Sequence, residues 1–296
     1  MLELIGLALF GAVVACYGTL VGIGGGPMIV PLVAMLYPYD TTTIVAISVM
    51  VVFCNTLSGS IAYLRERRID IVSAVKFGLV SIPGALLSVF ALHYIHINAF
   101  SFLFGFFLIL LASYIFLHPV IENPGTGRPF WMGRRTRSNS PKRLTFGDEF
   151  VGLPDPPERQ HPQRTIRDRS GNSFTFRVNE RLGMGITAMI GVFSTFLGIG
   201  GGLIQVPTLV YILSFPVHVA TATSHLITAI NSGFTLIPLM VFGAIPYATA
   251  VPLAIGAVIG AQIGAKLSNR FDDATLLRLL IPVFILMGAK LMFFNF

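Results

Sequence analysis

The pentapeptide Gly-Ile-Gly-Gly-Gly occurs twice in this chain, at Gly22 to Gly26 and at Gly198 to Gly202, each time inside a long apolar stretch and shortly before a proline. The shift that lays Gly22 on Gly198 aligns both copies and continues to align Pro31 with Pro207, Ser48 with Ser224, Asn55 with Asn231 and Gly84 with Gly260. The chain therefore reads as two related halves, with the glycine-proline segment the part least free to differ between them.

Composition sets the solvent for these halves. Of all residues 54% are hydrophobic and only 11% charged, and mean hydropathy is +0.79, which is the profile of an integral membrane protein. Apolar stretches at roughly 2 to 21, 27 to 37, 43 to 64, 71 to 92 and 98 to 117 recur at roughly 182 to 197, 203 to 215, 219 to 242, 247 to 267 and 274 to 295. Stretches of about 20 residues cross a ~30 Å hydrocarbon core as helices, while the short pieces behind each glycine cluster reach only part of the way. No alternating strand pattern suggests a barrel. The amino terminus lacks the basic flank and cleavage site of a signal peptide, so Leu2 to Val21 is expected to stay as a membrane segment. The expected fold is all-α: a first membrane repeat over 1–117, a hydrophilic linker over 118–181, partly disordered, and a second repeat over 182–296.

The linker holds 12 of the 20 Lys and Arg residues and 7 of the 13 acidic ones, a local charge of 12 minus 7, or +5. The basic balance of the chain thus describes this loop and its membrane side, and a nucleic-acid partner is not expected. Within it, Asn172 to Val178 has the composition of a short strand. Cys16 and Cys54 fall in predicted spans without metal-ligand spacing and read as packing residues. No cofactor or metal is expected.

Short-loop charges orient the repeats. Arg65, Glu66, Arg67 and Arg68 lie between the third and fourth segments, whereas the equivalent loop near Gly243 to Pro246 is uncharged. The next loop reverses this: His93 to Asn98 carries no Lys or Arg, and its counterpart is flanked by Lys266, Arg270 and Arg278. Positive loops favour the cytoplasm, so equivalent loops face opposite sides and the repeats are inverted, with five segments each. The linker is then cytoplasmic and the termini outside. Should the glycine cluster only kink a single helix, the count becomes even and the repeats parallel.

Three successive glycines followed by Pro27 disfavour continuation of a helix, and Pro27 suits the first turn of a new one. Broken backbone at membrane depth is tolerated only where it packs in protein or lines a wet cavity. The free N–H groups and positive dipole end of the helices starting at Pro27 and near Leu203 form places for an anion. The competing reading takes Gly22-x-x-x-Gly26 and Gly198-x-x-x-Gly202 as small-residue helix contacts. The candidate substrate-binding set is Gly24, Gly25, Gly26 and Pro27 with Ser48 and Asn55, and Gly200, Gly201, Gly202 and Leu203 with Gln205, Ser224 and Asn231. Ser48 and Asn55 share a helix face, as do Ser224 and Asn231, near Thr221, His225 and Thr228. These residues donate hydrogen bonds to an oxyanion or, alternatively, glue helices together. No acidic residue lies deep in a span, which leaves His225 as the candidate proton-coupling group. Lys76 sits at a span end, where it snorkels or attracts anions.

The doubled Gly-Ile-Gly-Gly-Gly-x-x-x-Val-Pro, Gly22 to Pro31 and Gly198 to Pro207, within two repeats joined by a hydrophilic loop, resembles the TauE/SafE sulfite exporter family, also called TSUP permeases. The resemblance covers both membrane halves and excludes the linker. It implies a secondary permease of the inner membrane for a small sulfur-containing anion such as sulfite, a sulfonate, sulfoacetate or thiosulfate, driven by the proton gradient, and it is compatible with a homo-oligomer. A structural or assembly subunit, or a permease for another small anion, is the alternative. An enzyme would need a nucleophile, metal cluster or paired acids at depth, which the spans do not offer.

Overall fold

A computed structural model describes residues 2–91 and 163–293, apart from 170, 172, 197, 199, 269 and 272, together with isolated helical residues between 106 and 117. Four helices come first: α1 (Leu2–Val21), α2 (Gly26–Leu36), α3 (Thr41–Arg65) and α4 (Ile71–Ala91). A hairpin of β1 (Gln163–Arg167) and β2 (Ser173–Arg177) precedes α5 (Glu180–Phe196), α6 (Gly202–Ile212, its end π-helical), α7 (Val217–Val241), α8 (Tyr247–Ser268) and α9 (Asp273–Phe293). The segment expected at 98–117 lies mostly outside the described residues, and 118–162 of the linker lies wholly outside them. Elsewhere the helix bounds fall within a turn of the hydropathy reading, and the shift that lays Gly22 on Gly198 carries the bounds of α3 onto those of α7.

Five helices among the described residues, α1, α3, α4, α7 and α8, are long and apolar enough to cross a bilayer. Their outer faces carry large exposed aliphatics such as Leu9, Val13, Leu87 and Ile259. On a water-soluble protein such continuous apolar surface would drive association, and here it faces lipid. The protein is an all-α integral membrane protein, with a small β-hairpin among the described residues of its linker.

The packing exchanges helices between the halves. Gly11, Gly256, Gly260 and Gly264 bring α1 and α8 into backbone contact, since a methyl group on any of them would overlap the carbonyls of Leu253, Ala8, Ala12 and Cys16 respectively. Ala8, Ala12 and Cys16 meet Gly256, Gly260 and Gly264 in rising order, so α1 and α8 are parallel. The same contact recurs at the repeat shift, where Gly84 meets Ala188, Gly191 meets Ser81, and the Ser88 hydroxyl donates to the Val192 carbonyl, so α4 and α5 are also parallel. Between these pairs α3 crosses α7. Gly59 lies against His225 and Gly233 against Phe53, so α3 and α7 run antiparallel. Equivalent helices running in opposite directions are what inverted repeats require.

The linker hairpin docks where α3 turns into α4. Arg68 pairs with Asp168 at 3.2 Å, both buried, and the Arg169 N–H donates to the Glu66 carbonyl. Arg164 bridges Asp70 and Glu180, and Lys76 pairs with Glu180. The Phe176 ring packs against that of Phe215 at a 44° tilt with centroids 4.6 Å apart, inside an apolar cluster with Tyr63, Phe77 and Leu213. The basic loop that the sequence presents as a marker of sidedness is thus also the receptor for the linker, and Lys76 is held by a carboxylate. The strand expected at Asn172 to Val178 is β2, paired antiparallel to β1 with Gln163 opposite Arg177.

Candidate functional site

Both glycine clusters adopt the same backbone. Gly22, Gly24 and Gly25 have φ of 93°, 81° and 80°, and Gly198, Gly200 and Gly201 have φ of 67°, 72° and 94°. These left-handed values cost a side-chain-bearing residue about 1–2 kcal/mol each, so three of the four glycines in each pentapeptide are a conformational requirement. In the first turn the Gly18 carbonyl accepts from the N–H groups of Gly22, Ile23 and Gly24, which ends α1, and Gly25 then caps α2 with Pro27 in its first turn. Gly201 caps α6 in the same conformation. The small-residue reading of the motif is therefore incomplete: the chain breaks at both clusters.

The serines pin these turns across the halves. Ser48 on α3 donates to the Gly198 carbonyl at 2.6 Å, and Ser224 on α7 donates to the Gly22 carbonyl at 3.0 Å and to that of Thr221. Each hydroxyl has one proton, and it is engaged with backbone. The turns also touch, because a methyl at Gly202 would stand 2.5 Å from the Ile23 carbonyl oxygen. Between them lies backbone contact, and each helix start has its own asparagine.

Asn55 is fully buried. Its Oδ1 accepts from the Thr19 hydroxyl at 2.7 Å, while its Nδ2 has no partner and stands 3.5 Å from where a Gly25 Cβ would be. Asn231, 3% exposed, donates from Nδ2 to Ser194 at 3.4 Å and leaves Oδ1 without a partner. A buried amide left unpaired costs about 1–3 kcal/mol, so each of these atoms gains from any ligand that pairs with it. A cavity of about 10 Å³, room for one water, opens beside the second turn, lined by Ser81, Thr187, Gly201, Gln205, Thr228 and Asn231 among others. Gln205 Nε2 donates to Thr187 across it at 3.3 Å.

The remaining candidates divide. Gly24, Gly25, Gly26 and Pro27 form the start of α2 beside Asn55, and Gly200, Gly201 and Gly202 form that of α6 beside Asn231. Leu203 is buried in an apolar cluster with Leu20, Val21 and Ile23, so it offers backbone and no polar side chain. His225 is fully buried with Nδ1 3.2 Å from the Thr221 carbonyl, its ring edge-on to Tyr63 and its Nε2 without a partner. It therefore borders Gly59 and Tyr63, away from the cavity lining. Thr19, Ser194, Thr187 and Ser81 are additions that the sequence reading missed. Thr19 carried a signal, since it matches Thr195 at the repeat shift; the other three did not.

Two broken membrane helices, each starting beside an unpaired buried amide and pinned by a serine from the opposite half, surround neutral polar groups. Such a construction suits a membrane permease. The chain belongs to the sulfite exporter TauE/SafE family, whose family model matches residues 7–291. It is a membrane transporter and not an enzyme. It is similar to the probable membrane transporter protein YunE of Bacillus subtilis (strain 168), with 27% identity over 294 residues, covering 97% of this chain and 96% of that protein. It is also similar to the probable membrane transporter protein MJ0441 of Methanocaldococcus jannaschii, with 28% identity over 115 residues, 37% of this chain and 43% of that one. No solved structure matches the chain.

Proposed function

We propose that this protein is a proton-coupled secondary permease of the inner membrane for a small sulfur-containing oxyanion of the sulfite, sulfonate, sulfoacetate or thiosulfate type. The observation that carries the reading is the pair of helix starts, each capped by a left-handed glycine and each beside an asparagine with an unpartnered amide atom. Helix starts favour negative charge, and at the first of them the unpartnered Asn55 Nδ2 is a neutral donor that adds a directed hydrogen bond in a dry site. The family supports a permease, and the sulfur anion follows from the family's description.

Alternating access then acts on exchanged bundles, and not on sequence halves. One bundle contains α1, α3 and α8, the other α4, α5 and α7, and they meet at the crossing of α3 and α7. The coupling proton has two available carriers, His225 or the substrate itself. The charged α3–α4 loop and the linker lie on the cytoplasmic side in this reading, with the termini outside.

Equilibrium binding of sulfite, thiosulfate and methanesulfonate to purified protein in detergent or nanodiscs tests the reading. Asn55→Leu should weaken binding at least about tenfold, the equivalent of about 1.4 kcal/mol. Wild-type affinity in Asn55→Leu and in Gly201→Ala would reject these helix starts as the site. Labelling of Glu66→Cys and Ala244→Cys from one side of the membrane should modify only one of them, and equal labelling would reject the inverted arrangement.

A further inference from the structure

The two helix starts are equivalent in backbone but not in chemistry. Around the second, the cavity presents Ser81, Thr187, Gln205, Thr228 and Asn231. Their counterparts at the repeat shift are Ala257, Gly11, Ile29, Val52 and Asn55, so only the asparagine survives in the first. Four hydrogen-bonding side chains have therefore accumulated on one side of a pseudo-symmetric molecule, and that side also contains the cavity. The lining holds donors in the Thr228 hydroxyl and the Gln205 amide, and a buried acceptor without a partner, Asn231 Oδ1. None of its lining residues is charged.

That inventory selects a protonation state. Desolvation in a low-dielectric site grows with the square of the charge, so a dianion is penalised about four times as heavily as a monoanion, and no cationic side chain lines the cavity to offset the difference. A ligand that only accepts hydrogen bonds would leave Asn231 Oδ1 unpaired, whereas one carrying a proton would satisfy it. The cavity as it stands has room for one water, so the oxyanion is held with this site opened further. We infer that the second-half site then binds its oxyanion as the protonated monoanion, hydrogensulfite in the case of sulfite, with the substrate proton donated to Asn231 Oδ1. The proton then crosses the membrane on the substrate. This rests on the permease reading above and deepens it.

Titratable groups on the elements that form the cavity are placed elsewhere. On α4, Lys76 pairs with Glu180 at the start of α5, at the end of the bundle where the hairpin docks. On α7, His218 is in the first turn and His225 turns toward Gly59 and Tyr63 of α3. Arg181 on α5 is exposed near the same end as Glu180, and Tyr211 is near the far end of α6.

The experiment is a binding titration against pH on purified full-length protein, with sulfite, permanently monoanionic methanesulfonate, and sulfate as a dianion. Sulfite affinity should fall about tenfold per pH unit once pH passes its second ionisation, because only the monoanionic fraction binds. Methanesulfonate affinity should stay flat over the same range, and sulfate should bind at least tenfold more weakly than either. Asn231→Leu should cost hydrogensulfite at least tenfold and methanesulfonate less than threefold. His225→Gln should leave the sulfite profile unchanged. Sulfite binding that is flat or improves with pH would overturn the inference, as would tight sulfate binding. So would a pH step shared by both other ligands that His225→Gln abolishes, or equal losses for both ligands in Asn231→Leu. If no sulfur oxyanion binds at any pH while the protein stays folded, the permease reading falls as well, which separates the two failures.

Discussion

The Ser48 hydroxyl donates to the Gly198 carbonyl at 2.6 Å, so a helix of the first half holds the broken backbone of the second. Ser224 returns the contact to Gly22. Each half is thereby held in shape by the other, and the bond is made to the main chain, where a ligand cannot compete for it without moving a turn.

Ser48→Ala and Ser224→Ala should each destabilise the protein by about 1–3 kcal/mol, the cost of leaving a buried carbonyl unpaired. Thermal unfolding in detergent measures this. The two turns touch, so the double variant should deviate from the sum of the singles by more than about 0.5 kcal/mol. A neutral effect in both singles would show that the carbonyls find other donors.

Gly201→Ala separates conformation from crowding. A methyl there meets Ser194 Oγ at 3.4 Å and Asn231 Nδ2 at 3.8 Å, which are ordinary contacts, but the residue must hold φ at 94°. The expected loss is about 1–2 kcal/mol of stability in a protein that still folds. At Gly200 a methyl would overlap Val52, so Gly200→Ala should yield far less folded protein, as judged by its size-exclusion profile.

Gly84→Val tests the close packing of α4 on α5. A Cβ would stand 2.7 Å from the Ala188 carbonyl oxygen, and a backbone atom in a packed helix pair yields little. Overpacking costs about 1–3 kcal/mol, and the variant should melt correspondingly lower than wild type. Gly6→Val, with nothing near its added atom, is the matched control.

Asp40 caps α3, its carboxylate accepting from the N–H groups of Thr42 and Thr43 and from the Thr43 hydroxyl. Partial burial pushes its pKa up, but the hydrogen bonds from Thr43 and Thr42 outweigh this and hold it below the ordinary aspartate value. A depressed carboxyl contributes stability that is complete above the unfolded value and fades as pH falls through the folded one. Asp40→Ala should cost about 1 kcal/mol near neutrality and should remove part of the acid-side slope of melting temperature between about pH 5 and about pH 3.

The Arg68–Asp168 pair holds the hairpin. Removing Asp168 takes the 3.2 Å partner from buried Arg68 and leaves it the 3.8 Å contact to Glu66, so the loss is at most that of a broken buried pair, about 3–5 kcal/mol. Asp168→Ala should therefore release the hairpin and accelerate tryptic cleavage at Arg164 and Arg167. Combining Arg68→Asp with Asp168→Arg should slow cleavage again.

Helix positions were legible because apolar runs of membrane length and a triple glycine are local signals. Helix partners were not. Gly11 and Gly260 look alike in sequence, and nothing in either shows that α1 lies on α8 and not on α4. The site was half legible. Asn55 and Asn231 announced themselves by repetition, but the same repetition marked Ser48 and Ser224, whose protons the turns consume. Thr187 and Ser81 escaped because their counterparts in the other repeat, Gly11 and Ala257, carry no polar group, so repetition did not mark them. The Arg65 to Arg68 cluster registered as a marker of sidedness, since net charge reports a compartment and carries no information about an ion-pair partner far along the chain.

The exchange of helices also bears on assembly. The surface of α1 that accepts α8 is synthesised long before its partner, which lies near the other end of the chain, so the first half enters the bilayer with a glycine-matched groove open to lipid. Completion must wait for the second half to insert, and the two halves expressed as separate polypeptides should find each other in the membrane, since neither contains the helix that closes its own bundle.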